Sequence, residues 1–244
     1  MGVGGRARVI GQRSSVYDER SGWNALPMAL RRSRRNVVGT LGVTWVLLLL
    51  SVLAVGWLIT QPFESVVDPW DDSVARWFAD RRTPGLNTAA AIGSGIADTI
   101  VGLVVAAVVA LAAWRWQHST RPLVFYGVLV VGTLALYLVV TMIIPRSRPP
   151  VPVLDPGLVP DHSFPSGHVA TSIVVYAATG VFLMITKPAW RRWTWPLFLV
   201  PLLVIPSRLY QGAHHPTDVL TSVVFASAWV AVVARVVLGR TSDD

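Results

Sequence analysis

The chain contains no cysteine, and of its 21 basic residues only Lys187 is a lysine. The missing thiols exclude disulfides, iron–sulfur clusters and thiolate zinc sites. Charge is scarce too: 14% of the 244 residues are charged against 53% hydrophobic, with a mean hydropathy of +0.54. A water-soluble domain of this size does not show that balance. Also absent are an internal repeat, a glycine-rich P-loop and a dinucleotide fingerprint, which removes the common nucleotide-binding classes.

What the chain has instead is long apolar runs, at 37–60, 85–113, 123–144, 169–186, 193–207 and 217–238. Crossing roughly 30 Å of hydrocarbon takes about 20 apolar residues, so the fourth and fifth runs are short but feasible with their flanks. The expectation is an all-α, polytopic membrane protein with six transmembrane helices. The basic stretch before the first run is too long for a signal-peptide head, and the run too long for its apolar centre, which points to an uncleaved first helix.

The net charge of +8 is spread unevenly. With the N-terminus inside, 15 Lys and Arg residues fall on one side and 6 on the other. The positive-inside rule then puts both termini in the cytoplasm. The arginine-rich run at 31–35 reads as an anchor at anionic headgroups rather than a nucleic-acid site. Residues 1–36 read as a flexible basic cytoplasmic arm, and residues 37–240 as the membrane domain. Between the first two runs, Val74, Trp77 and Phe78 lie at helical spacing against Asp71, Asp72, Arg76 and Asp80. This pattern predicts a short amphipathic helix at the outer interface.

Unusual polar residues collect on that same outer face. Arg146 and Arg148 end the third run, Phe164 to His168 opens the fourth, and Ser207 to Asp218 joins the fifth to the sixth. The guanidiniums of Arg146, Arg148 and Arg208 are planar forks suited to the oxygens of one phosphate. Ser166 and Gly167 stand where a helix start offers free N–H groups to an anion. His214 and Asp218 are four apart, so a carboxylate one turn down a helix can hold one imidazole nitrogen and leave the other free to attack. His168 could protonate a leaving oxygen. Metal ligation by His168, His214, His215 and Asp218 is the rival use, although three arginines in the same pocket would repel a dication. His215, followed by Pro216, suits a helix cap. Asp161 and His162 read as loop surface. Asp98, inside the second run, is expected to face the bundle or the outer boundary.

These segments resemble the type 2 phosphatidic acid phosphatase (PAP2) superfamily, whose signature is Lys-x6-Arg-Pro, Pro-Ser-Gly-His and Ser-Arg-x5-His-x3-Asp. Pro165-Ser166-Gly167-His168 matches the second part, and Ser207-Arg208 with His214 and Asp218 matches the third. Of the first part only Arg148-Pro149 is present, with Thr141 in the place of the lysine. The resemblance runs from about Ser65 to the end of the sixth run.

It implies a metal-independent, cofactor-free lipid phosphatase acting at the extracytoplasmic face of a bacterial plasma membrane. His214 is then the nucleophile that becomes phosphohistidine, Asp218 its orienter and His168 the acid and base. Arg148, Arg208, Ser166 and Gly167 hold phosphoryl oxygens. For the missing lysine three readings stand: Arg146 replaces it, the pocket is weaker, or the substrate differs. Polyprenyl diphosphate, phosphatidylglycerophosphate and phosphatidic acid are the candidate substrates. A lipid phosphotransferase with the same intermediate, or a non-catalytic lipid-phosphate binder or transporter, are the alternatives.

Overall fold

The computed structural model describes residues 1–2 and 28–239, with side chains from Asn36 onward. The chain divides into two compact units, Met1–Asn36 and Val37–Asp244. In the first unit helical backbone starts at Met28, so the basic run at 31–35 begins a helix. Residues 3–27 of the expected arm, and its side chains through residue 35, lie outside the described set. The helical bundle belongs to the second unit.

The described residues form helices and no named strands. They are α1 (Met28–Thr60), α2 (Glu64–Ala79), α3 (Pro84–Gly95), α4 (Thr99–Gln117) and α5 (Arg121–Ile143). A loop of 23 residues, 144–166, leads to α6 (Gly167–Thr186), followed by α7 (Trp195–Tyr210) and α8 (Pro216–Leu238). Five of these, α1, α4, α5, α6 and α8, are long and apolar enough to cross a membrane, and α7 is a shorter apolar helix. This is a multi-pass membrane protein.

The expected second run, 85–113, is not one helix. Its chain breaks after Gly95, and Asp98 caps α4 by accepting hydrogen bonds from the amides of Ile100 (2.9 Å) and Val101 (3.4 Å). Asp98 therefore sits at a helix start, where a carboxylate satisfies free N–H groups and meets the positive end of the dipole. Hydropathy averaging hides such a break, because one aspartate hardly changes a window of apolar neighbours.

Burial orders the helices around α6, half of whose apolar window is enclosed against 11% for α1. Phe125, Leu129, Leu136 and Val140 of α5 meet Val169, Val175 and Phe182 of α6 and Phe225, Trp229 and Val233 of α8 in one core. Gly132 admits this packing, since a Cβ there would stand 2.6 Å from the Trp229 ring. Its carbonyl also accepts from the Trp45 indole of α1 at 2.8 Å.

Helix α2 forms where the amphipathic pattern places it, and its exposed side carries Glu64 and Arg76 as well as tryptophans. Trp70 and Trp77 are exposed, while Asp71 is fully buried. The aspartate turns inward because its partners, Arg146 and Thr217, lie there.

Candidate active site

Three chain segments meet at the end of the bundle where α6 begins. The 144–166 loop folds back on itself: the Arg146 amide donates to the Asp161 carbonyl at 2.9 Å, and the Ser163 amide donates to the Arg146 carbonyl at 3.1 Å. Ser166 is the N-cap of α6, which puts Gly167 and His168 in its first turn. The third segment leaves α7 through Gly212, whose φ of +68° is a left-handed turn that glycine adopts without strain. A side chain there would also press on Val151 at 2.7 Å. This turn delivers His214 to the site, and His215 then caps α8 with Pro216 at its first position.

These segments close around a cavity of about 410 Å³. One end carries Arg148, Gly167, His168, Arg208 and His214; the walls are apolar side chains of α4, α5 and α6, among them Leu103, Leu134 and Val174. A charged end opening into an apolar chamber fits a molecule with an anionic head and a hydrocarbon tail.

Arg208 is fully buried. Its Nη1 is held by Asp155 (2.6 Å), Gln211 (3.0 Å) and Ser94, whereas Nε and Nη2 have no partner among the described residues. Those two nitrogens form one edge of the guanidinium, the edge that engages two oxygens of one anion. The buried Ser166 hydroxyl also lacks a partner. Unpaired buried donors carry a large desolvation cost, so the two Arg208 nitrogens at the cavity favour a ligand that accepts from them. Arg148 is steered by three backbone carbonyls, those of Val159 (3.0 Å), His162 (3.3 Å) and Ala213. Burial, and then the nearby Arg208 charge, hold Arg148 below the usual guanidinium range. An anion between the two cations would relieve that repulsion.

His214 is held differently from the spacing argument. Its Nδ1 donates to the Ser163 carbonyl at 2.6 Å, while the Asp218 carboxylate is 3.9 Å away. Asp218 is occupied elsewhere: Oδ2 accepts from the Ser163 hydroxyl (2.6 Å) and the His215 amide (2.8 Å), and Oδ1 accepts from Arg146 (2.6 Å). The carboxylate therefore braces Ser163, and the Ser163 carbonyl holds the imidazole. With Nδ1 as donor, Nε2 keeps its lone pair. Burial, reinforced by the Arg208 charge, places the His214 pKa well below the ordinary 6.5.

Arg146 is engaged by side chains rather than left free for a phosphate. Nη1 donates to Thr217 (2.7 Å) and Asp218 (2.6 Å), and Nη2 to Asp68 (3.0 Å) and Asp71 (2.8 Å), so all four terminal N–H groups are used. It is also absent from the cavity lining. Burial lowers its pKa, but the Asp218 and Asp71 carboxylates outweigh that and raise it above the usual value. Asp71 completes the cluster by accepting from the Thr217 amide (3.1 Å) and hydroxyl.

The sequence profile of the PAP2 superfamily matches residues 122–242. The chain belongs to the PAP2 superfamily. This phosphatase is 29% identical over 150 residues to undecaprenyl-diphosphatase BcrC of Bacillus subtilis, covering 59% of this chain and 72% of that protein. Over 72 residues it is 35% identical to an undecaprenyl-diphosphatase of Sulfolobus acidocaldarius, covering 29% of this chain and 31% of that one. Its fold matches the crystal structure of a transmembrane PAP2-type phosphatidylglycerolphosphate phosphatase from Bacillus subtilis with a TM-score of 0.64 and 23% identity, over 79% of this chain and 94% of that chain.

Of the residues singled out from the phosphatase sequence, Arg148, Gly167, His168, Arg208 and His214 line one cavity. Ser166 adjoins it, Asp218 stands behind it and Arg146 is turned away. Asp98 also borders the cavity, at the α4 cap, and forms no ion pair with an arginine among the described residues. The sequence reading did not single out Asp155, Ser94 and Gln211 as holders of Arg208, or Ser163 as the link between Asp218 and His214. Ser94, Asp155 and Ser163 reach their partners from other segments, which no local spacing marks, whereas Gln211 stands three residues after Arg208 at the end of the same helix, a spacing that was legible. Among the described residues no group of three or more His, Cys, Asp or Glu is arranged to hold a metal ion.

Proposed function

We propose that this PAP2 phosphatase hydrolyses a polyprenyl diphosphate through a phosphohistidine on His214, at the outer face of a bacterial plasma membrane. The observation that carries the reading is the unpaired Nε–Nη2 edge of buried Arg208 in the cavity that His214 also lines. Arg208, Arg148, the Ser166 hydroxyl and the Gly167 amide hold the terminal phosphoryl oxygens. Nε2 of His214 attacks phosphorus as the bond to the bridging oxygen breaks, and His168 gives that oxygen a proton. A water molecule then returns a proton to His168 while its oxygen attacks phosphorus, breaking the N–P bond and releasing phosphate. Positioning and charge stabilisation supply most of the rate in such a displacement. The two relatives described as undecaprenyl-diphosphatases, and the apolar chamber, support the substrate class.

The charge distribution supports the orientation. Lys187, Arg191 and Arg192 follow the far end of α6 from the site, so a cytoplasmic position for them sets the cavity outside. In this arrangement α7 makes the sixth crossing; its 16 residues rise about 24 Å, short of a full bilayer without its flanks. Helix α2 then lies at the outer boundary with Trp70 and Trp77 at headgroup depth.

The test is phosphate release by purified protein in detergent across polyprenyl diphosphate, phosphatidylglycerophosphate and phosphatidic acid. Turnover is expected to be fastest on the diphosphate and unchanged by EDTA. Binding of these lipids without phosphate release from any of them would replace the enzyme reading with a lipid-phosphate binder.

The state of His214 sets a pH dependence. The attacking form is neutral, and a lowered pKa extends that form to more acidic solution. The acid limb of kcat/KM is therefore expected below 6.5, with activity retained as the pH falls through that value. A decline centred on 6.5 would mean that His214 titrates as an ordinary exposed histidine.

A further inference from the structure

Thr141 stands where the family signature has lysine, and it cannot supply a phosphate contact. It is buried, its hydroxyl donates to the carbonyls of Tyr137 (3.0 Å) and Leu138 (3.1 Å) on its own helix, and it does not line the cavity. Arg146 is committed to carboxylates. One turn earlier on the same face of α5, about 6 Å along the axis, is Tyr137, and it does line the cavity.

The Tyr137 ring packs against the first residue of α6: a Cβ on Gly167 would stand 3.2 Å from Cε2 and 3.4 Å from Cζ, the carbon that bears the hydroxyl. Arg148 and Arg208 line the same cavity as this phenol. Three other tyrosines show what such a hydroxyl normally does. Tyr126 bonds Thr179 (2.8 Å), Tyr176 donates to the Ile96 carbonyl (2.8 Å) and Tyr210 bonds Asn87 (2.8 Å). The Tyr137 hydroxyl has no such partner among the described residues. A largely enclosed tyrosine usually finds an acceptor for its O–H.

We propose that Tyr137 donates its phenolic hydrogen bond to the phosphoryl group of the substrate, in the role the signature gives to lysine. The inference rests on the phosphatase reading above and specifies its binding site further. The cradle then has two cations, Arg148 and Arg208, and a neutral third donor. Hydrogen bonds charged on both sides are stronger than those charged on one, so this cradle holds the released phosphate less firmly than one with an ammonium group.

The experiment compares wild type with Tyr137→Phe, using full-length protein in detergent, polyprenyl diphosphate as substrate and inorganic phosphate as competitive product. Removing one hydrogen bond to a charged group is expected to raise both KM and the phosphate Ki about tenfold, with the thermal midpoint unchanged. Thr141→Lys in the Tyr137→Phe background is expected to recover most of that loss. An unchanged phosphate Ki, with or without a fall in turnover, overturns the proposal, because a ring that only packs would not alter affinity for phosphate. A wild-type protein that releases no phosphate from any lipid would instead overturn the phosphatase reading itself.

Discussion

His214→Asn is expected to fold as wild type and to lose phosphate release by a factor on the order of 10⁴ or more, the scale seen when a nucleophile is removed. Asparagine is the informative replacement because its amide can take the place of Nδ1 and keep the bond to the Ser163 carbonyl, now 2.6 Å long. It has nothing at the position of Nε2. His214→Ala removes both, so a loss there mixes chemistry with an unsatisfied buried carbonyl. Steady-state phosphate release and a thermal melt on both variants separate these effects. Substantial turnover in His214→Asn would remove this histidine from the covalent step.

The second large effect is expected at Arg146, and it is a loss of stability. The guanidinium lies among three carboxylates, of which Asp71 and Asp218 are fully buried. Truncating one partner of a buried ion pair leaves the other charge without compensation, typically at a cost of about 3–5 kcal/mol. Arg146→Ala should therefore lower the thermal midpoint sharply and reduce activity, because Asp218 loses one of the contacts that fix Ser163 and His214. Asp71→Asn in the same chain removes one stranded charge and is expected to recover part of the stability, a coupling that a double-mutant cycle measures. If Arg146→Ala left the melt unchanged and raised only KM, Arg146 would be a substrate ligand after all.

This cluster also gives α2 a role beyond connection. Asp68 and Asp71 lie outside the stretch that the superfamily profile matches, yet Asp71 holds Arg146 and Thr217, one residue from Asp218. Through them an element read as interfacial is tied to the brace behind His214.

Much of the site was legible because the signature segments are short and local. Pro165 to His168 and Ser207 to Asp218 each place several polar groups at one helix end, and helix direction brings those ends together. The limits show in particular residues. The spacing of His214 and Asp218 is correct for one helical turn, but His214 lies before the cap residue His215, so its ring is not on the helix surface that the spacing assumes. Arg146 and Arg148 are two apart and look equivalent. One is nevertheless drawn into carboxylates about 75 residues away in sequence and the other onto loop carbonyls, choices made by tertiary packing that no window records. The break before Asp98 was hidden for the opposite reason: its cap chemistry is local, but the apolar average across it is unbroken.

Covalent phosphoryl transfer to His214 is open to rapid quenching during turnover of terminally ³²P-labelled polyprenyl diphosphate. Quenching in alkali preserves phosphohistidine, and peptide mapping locates the label. Label is expected on the peptide containing His214 in wild type and none in His214→Asn. Full turnover with no protein-bound label at any quench time, together with inversion at phosphorus, would mean that water attacks directly and that His214 is not the nucleophile.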